Sequence, residues 1–103
     1  MLKLNLKKTK TNNFIKIMMT NIGFIGLGKM GYPMALNLLE KHQVFAYDVN
    51  KRLKPDLIKK GAYFCNTLNS LCIKNVSYII IMLQTGEQVE EVCTSKGGIF
   101  NNI

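Results

Sequence analysis

The amino-acid sequence predicts an α/β fold built on a parallel, doubly wound β-sheet. Four short apolar runs of strand length alternate with segments of helical periodicity, and a cluster of glycines follows the first run directly. The fourth run is β-branched and apolar almost throughout, as in a strand that is buried on both faces. Alternating strands and helices are typical of βαβ units, whose strands pair in parallel. We therefore expect one domain with about four strands.

The elements are predicted in the order βαβαβαβα. The first helix is supported by Met30, Met34 and Leu38, which recur at i, i+4 and i+8 on one buried face. Right-handed crossovers would order the strands 3-2-1-4, with a ligand crevice at the carboxyl ends of strands 1 and 4. The predicted strands are 22–25, 44–47, 62–65 and 76–83, and the predicted helices are 30–39, 51–60, 68–72 and 86–93.

Length and composition exclude several classes of protein. The chain has 103 residues, 48% of them apolar and 19% charged, which suits one globular core. Its longest apolar run, 78–83, has six residues, whereas a helix that crosses a bilayer needs about 20. Three cysteines without a Cys-x-x-Cys pair, and a single histidine, indicate core packing and neither a disulfide framework nor a metal site. We expect no membrane partner and no metal.

Residues 1–20 differ in composition and are expected to lie outside the domain, which would occupy residues 21–103. This basic leader has five lysines and no acidic residue, so it carries +5 of the formal net charge of +8. It is similar to an organelle-targeting presequence, although it lacks arginine; a disordered tail is the alternative, and mitochondrial and cytoplasmic locations both stay open. The remaining +3 and the lack of a recognised motif argue against a nucleic-acid partner.

The turn after the first strand has the pattern Gly-x-Gly-x-x-Gly and opens a helix. In a Rossmann-type fold the first glycine permits a tight turn, the second lets a pyrophosphate approach the backbone, and the third permits close helix–sheet packing. Backbone N–H groups and the helix dipole would hold the pyrophosphate, with the lysine as an accessory. The candidate cofactor-binding residues in this turn are Gly26, Leu27, Gly28, Lys29, Met30 and Gly31.

Asp48 is the candidate partner of the adenosine ribose. It follows Gly26 by 22 residues at the end of the second strand, close to the offset of about 20 that a ribose-binding acid requires. An acid there repels the 2′-phosphate of NADP and so favours NAD, although Lys51 and Arg52 are near enough to accommodate that phosphate. The structural alternative is that the glycines only pack a helix on a strand and that Asp48 only begins a turn.

Residues 22–38 read IGFIGLGKMGYPMALNL, and this segment resembles the opening signature of the 3-hydroxyisobutyrate dehydrogenase family of β-hydroxyacid dehydrogenases, whose NAD(P)-binding domain is of the 6-phosphogluconate dehydrogenase type. Similarity continues in the family's order to about residue 100. The resemblance implies that the segment after the fourth strand contacts the dinucleotide, which adds Leu83, Gln84 and Gln88 to the candidate site. Gln84 stands where the family usually has proline.

The resemblance also limits what this chain is expected to do. Family members resemble one another over roughly 300 residues, whereas 103 residues have room for one domain. The family's substrate loop, catalytic lysine and helical second domain would lie beyond Ile103, so no catalytic residue is assigned and enzyme activity stays open. We expect the cofactor half of an oxidoreductase that acts on a small hydroxy acid only if the missing domain is supplied. A non-catalytic dinucleotide-binding module or a truncated product is the alternative, and the exposed sheet edge would favour self-association.

Overall fold

A five-stranded mixed sheet forms the centre of the molecule. The computed structural model describes residues 2–5, 20–72 and 74–102. The sheet has the spatial order β1-β5-β2-β3-β4; β1 is antiparallel to its neighbour, and the other four strands are mutually parallel. The strands are β1 (Leu2–Asn5), β2 (Asn21–Ile25), β3 (Gln43–Tyr47), β4 (Tyr63–Phe64) and β5 (Tyr78–Ile81).

The parallel part of the sheet confirms the predicted topology. The four strands predicted from the sequence are β2 to β5, and their order β4-β3-β2-β5 is the expected 3-2-1-4. Ile25 at the end of β2 lies level with Tyr47 in β3 and with Ile81 in β5. The loops that leave these three strands therefore meet at one edge of the sheet, where an open α/β fold binds its ligand.

Helices cover both faces of this sheet. Alternate residues of a strand point to opposite faces, and the fully buried neighbours Phe24 and Ile25 accordingly belong to two different core clusters. In β5, Ile80 belongs to the first cluster, whereas Ile79 and Ile81 belong to the second. The helices are α1 (Gly31–Leu39), α2 (Lys54–Lys59), α3 (Leu68–Cys72) and α4 (Gly86–Thr94), followed by a 3₁₀ helix at Ile99–Asn101.

The helix ends show where local chemistry changed the expected bounds. α2 begins at Lys54, three residues later than predicted, because an Asx turn occupies the preceding segment: the Asn50 side chain accepts a hydrogen bond from the Arg52 N–H at 2.9 Å. Pro55 lies in the first turn of α2, where its missing N–H costs nothing. Gly61 has a φ of +100° and ends the segment, as its position predicted.

The structure differs from the expectation that residues 1–20 lie outside the sheet. Residues 2–5 form β1, in which Leu2 lies opposite Ile81 and Asn5 lies opposite Tyr78. The leucines at positions 2, 4 and 6 alternate with polar residues, a strand period that the surrounding lysines obscured. The rest of the predicted leader, residues 1 and 6–19, lies outside the described residues. None of the described helices is long and apolar enough to cross a membrane.

Candidate functional site

The glycine turn between β2 and α1 is held by two close backbone contacts. Gly26 has a φ of +99°, which favours glycine, and a Cβ at this position would collide with the carbonyl of Met82. A Cβ at Gly31 would collide with the carbonyl of Gly26 itself. The turn therefore lies in direct contact with the start of α1 and with the backbone that follows β5. The structure therefore shows the tight turn and the close helix packing for which the sequence predicted glycine.

The middle of the turn is open to solvent. No atom lies within 4 Å of a Cβ built on Gly28, so a ligand could approach the backbone there. Among the described residues, the N–H groups of Gly28, Lys29 and Met30 have no hydrogen-bond acceptor. Met30, which the helical period predicted to be on the buried face, is 69% exposed at the N-terminal boundary of α1. Free N–H donors at a helix N-terminus attract an anion.

Asp48 lies at the carboxyl end of β3 and binds the glycine turn directly. Its Oδ2 accepts a hydrogen bond from the Leu27 N–H at 2.7 Å, and its Oδ1 accepts one from the Asn50 N–H at 2.9 Å. Leu27 was expected to present its N–H to the ligand; instead, Asp48 takes this donor. A carboxylate can accept about four hydrogen bonds, so Asp48 retains acceptor capacity for a ligand.

A small cavity of about 190 Å³ lies beside Asp48, bounded by the glycine turn and by the loop before α2. Sequence reasoning placed three of its residues, Leu27, Gly28 and Asp48, in the site and mentioned Arg52 as a nearby cation. It missed Asn50, although an asparagine two residues after Asp48 is a recognisable signal for consecutive Asx turns. The lining residues are Leu27, Gly28, Asp48, Asn50, Arg52 and Leu53.

The segment after β5 forms the other side of the crevice. A Leu83 side-chain carbon lies 3.1 Å from the position of a Cβ on Gly26, so Leu83 adjoins the glycine turn. Gln88 is bound to its own helix end: its Oε1 accepts hydrogen bonds from the N–H groups of Gln84 at 3.0 Å and Thr85 at 3.3 Å. The Thr85 hydroxyl accepts one from the Gln88 N–H at 3.1 Å, which completes a capping box.

The three cysteines lie in or beside the hydrophobic core. Burial raises the pKa of the thiols of Cys65, Cys72 and Cys93, and Lys74 opposes this effect at Cys65. The three thiols are therefore protonated at neutral pH and lie in or beside the second core cluster. Within residues 20–72 and 74–102, no three His, Cys, Asp or Glu side chains lie close enough to hold a metal ion.

Comparison with known proteins identifies the family of this domain. Residues 21–103 match the family described as the NAD binding domain of 6-phosphogluconate dehydrogenase. The structure of Psf3 in complex with NADP+ and 2-OPP has a TM-score of 0.71 at 23% identity, over 80% of this chain and 29% of that one. This likeness shows the fold.

The chain is also similar to a curated reductase and a curated dehydrogenase. The 3-sulfolactaldehyde reductase of Escherichia coli (strain K12) is 40% identical over 82 residues, which are 79% of this chain and 27% of that protein. The 3-hydroxyisobutyrate dehydrogenase of Pseudomonas aeruginosa is 34% identical over 86 residues, which are 82% of this chain and 28% of that protein. The chain thus spans about a quarter of the length of these relatives.

The glycine turn, the strand order and these similarities confirm the predicted family resemblance and a dinucleotide-binding domain. Because the match extends from residue 21 to residue 103, the chain belongs to the family of the NAD-binding domain of 6-phosphogluconate dehydrogenase.

Proposed function

We propose that this chain binds NAD and serves as the cofactor-binding part of a β-hydroxyacid dehydrogenase of the 3-hydroxyisobutyrate type. The observation that carries the proposal is the 2.7 Å hydrogen bond from the Leu27 N–H to Asp48 Oδ2. This bond fixes a carboxylate beside the glycine turn, so that one rigid unit offers an anion site and a negative charge. A dinucleotide needs both: the anion site binds its pyrophosphate, and the carboxylate accepts hydrogen bonds from the hydroxyls of its adenosine ribose.

The pyrophosphate would lie at the N-terminus of α1. The unbonded N–H groups of Gly28, Lys29 and Met30 supply donors there, and the exposed Lys29 adds a positive charge at the rim. Gly28 leaves the approach clear, since a Cβ on this residue would stand in the open space above the turn. These groups bind and orient the cofactor without any buried cation.

The adenosine ribose would lie in the cavity beside Asp48. The two backbone donors hold the carboxylate in place, and its remaining lone pairs can accept hydrogen bonds from the ribose hydroxyls. The 2′-phosphate of NADP would place its negative charge next to this carboxylate, and the repulsion between the two charges disfavours the binding of NADP. NADP is the second candidate because Arg52 lines the same cavity and could pair with that phosphate.

The reaction follows from the relatives rather than from side chains of this chain. Bound NAD supplies hydride transfer, and the substrate would be a small hydroxy acid or the corresponding aldehyde, as the names of the relatives indicate. This chain contributes binding and orientation of the cofactor, and no described residue is assigned acid–base chemistry. Without a domain that supplies the substrate site, we expect binding of NAD without turnover.

The preference for NAD is tested by calorimetric titration of the intact chain with NADH and with NADPH, beside an Arg52→Gln variant. We expect NADH to bind more tightly. The variant should weaken NADPH further and leave NADH within about twofold, since NADH has no 2′-phosphate for the exposed Arg52 side chain to pair with. Tighter binding of NADPH that is lost in Arg52→Gln would replace NAD with NADP in the proposal.

A further inference from the structure

A groove follows the outer edge of β4. Among the described strands, β4 pairs with β3 alone, and in the doubly wound order 3-2-1-4-5-6 the third strand is an edge strand. Residues 61–66, a continuous stretch that includes β4, line a cavity of about 520 Å³ together with residues on or beside α2 and α3. This cavity shares no residue with the one beside Asp48. A groove that runs along a strand suits an extended chain better than a compact ligand.

The backbone of β4 offers a donor and an acceptor at this edge. The Cys65 N–H donates to the Ala46 carbonyl of β3 at 2.8 Å. Successive residues of a strand direct their N–H and C=O groups to opposite edges, so those of Phe64 face away from β3. No described residue accepts a hydrogen bond from the Phe64 N–H. An extended chain can therefore pair with this residue as an added strand.

Apolar surface lies beside this edge on both faces of the sheet. Tyr63 stacks on Phe45, with ring centroids 4.8 Å apart and 13° between the ring planes, and is nevertheless 52% exposed. Phe45 belongs to the second core cluster, which places Tyr63 on that face. On the other face, α2 buries Leu57 in the first cluster and leaves Ile58 51% exposed. Alternate side chains of an added strand would reach these two residues, one on each face.

The charges around the groove are positive. Lys74 lines it, and no lining residue is acidic. Lys54 lies beside it, since its Nζ donates to Oδ1 of the lining residue Asn66 at 3.0 Å. The acid of α2, Asp56, is paired with Lys60 at 3.3 Å. Lysines beside a strand edge hinder pairing with ordinary apolar strands. A strand that carries carboxylates would instead be attracted to them.

We propose that the outer edge of β4 is a strand-addition site for an extended acidic segment of a partner protein. The backbone of the segment pairs with the N–H and C=O of Phe64, and its apolar side chains contact Tyr63 and Ile58. Its carboxylates lie near Lys54 and Lys74. Backbone hydrogen bonds supply affinity in this mode of binding, whereas side-chain contacts and charge select the partner. The site is separate from the proposed dinucleotide site.

The test titrates the intact chain, without nucleotide, with the end-capped peptide Glu-Val-Glu-Val-Glu-Val. We expect the peptide to bind and, by NMR, to protect the Phe64 amide from hydrogen exchange. At low salt, Lys74→Gln should weaken binding about fivefold through the loss of one exposed charge pair. Lys96→Gln is the matched control and should leave binding unchanged, because Lys96 is exposed and does not line the groove. The peptide Lys-Val-Lys-Val-Lys-Val should not bind.

A modified peptide separates strand addition from attraction between charges alone. N-methylation of the two central residues of the acidic peptide removes one N–H from each of its edges and keeps its charge. We expect affinity to fall about tenfold and the protection of Phe64 to disappear. The proposal is overturned if the acidic peptide does not bind, if methylation has no effect, or if Lys96→Gln weakens binding as much as Lys74→Gln. Protection of Phe64 that rises with protein concentration without peptide would make a second copy the occupant and overturn it too.

Discussion

The Asp48 carboxylate accepts a hydrogen bond from the Leu27 N–H at 2.7 Å, across 21 residues of sequence. This contact ties the end of β3 to the glycine turn that follows β2. Hydrogen bonds to a charged acceptor contribute more than neutral ones, about 1.5–3 kcal/mol. The same carboxylate stabilises the turn, and in the proposed function it also presents a negative charge to the ligand.

Gly28 should matter for binding and hardly for stability. Gly28→Ala places its Cβ in open space, so we expect the free energy of unfolding to change by less than about 0.5 kcal/mol. In the proposed site the same Cβ would stand in the path of the pyrophosphate, and NADH affinity should fall about tenfold, which corresponds to about 1.4 kcal/mol. Urea unfolding and calorimetry measure the two effects separately. A large loss of stability with unchanged affinity would assign Gly28 to the fold instead.

Gly26 should matter for the fold. Gly26→Ala adds a collision with the Met82 carbonyl to the strain of a positive φ, and we expect a loss of more than about 2 kcal/mol. Gly61→Ala is the matched control, because Gly61 has nearly the same φ, +100°, with nothing within 4 Å of its Cβ. Its loss should stay near 1 kcal/mol. Equal losses in urea unfolding would mean that the Met82 contact is unimportant.

Thr85 should stabilise α4 without contributing to the ligand site. Thr85→Ala removes the acceptor of the Gln88 N–H, and we expect a loss of about 1 kcal/mol in urea unfolding. Thr94→Ala is the control: the Thr94 hydroxyl donates to the Glu90 carbonyl within the same helix, a bond that adds little stability, so this change should be nearly neutral. A greater loss from Thr94→Ala would contradict the capping role.

Local patterns in the sequence predicted most of the fold, whereas the added strand β1 arises from a contact made at a distance. The glycine turn and the offset of Asp48 are encoded within short segments, and the structure brings Gly26, Gly31 and Asp48 together as expected. The pairing of residues 2–5 with β5 depends on residues about 75 positions away, which no local period reveals.

Some contacts of the candidate site residues differ from those that the sequence suggested. The N–H of Leu27 is taken by Asp48, and Gln88, assigned to the cofactor by resemblance, caps α4 with its side chain. The capping role of Gln88 had a local signal in the sequence, since Thr85 and Gln88 have the spacing of a capping box. The hydrogen bond from the Leu27 N–H to Asp48 had no local signal, because either a ligand or a neighbouring side chain can satisfy a backbone donor.

The central claim, that Asp48 binds the adenosine ribose, is tested most directly by titrating the intact chain with NADH beside Asp48→Asn and Asp56→Asn. Both variants remove one negative charge, but Asp56 lies on α2 in an exposed ion pair with Lys60 at 3.3 Å. We expect Asp48→Asn to weaken NADH at least tenfold, as loss of a charged hydrogen-bond partner predicts, and Asp56→Asn to leave it unchanged. Equal NADH affinity in Asp48→Asn and the natural chain would contradict the account.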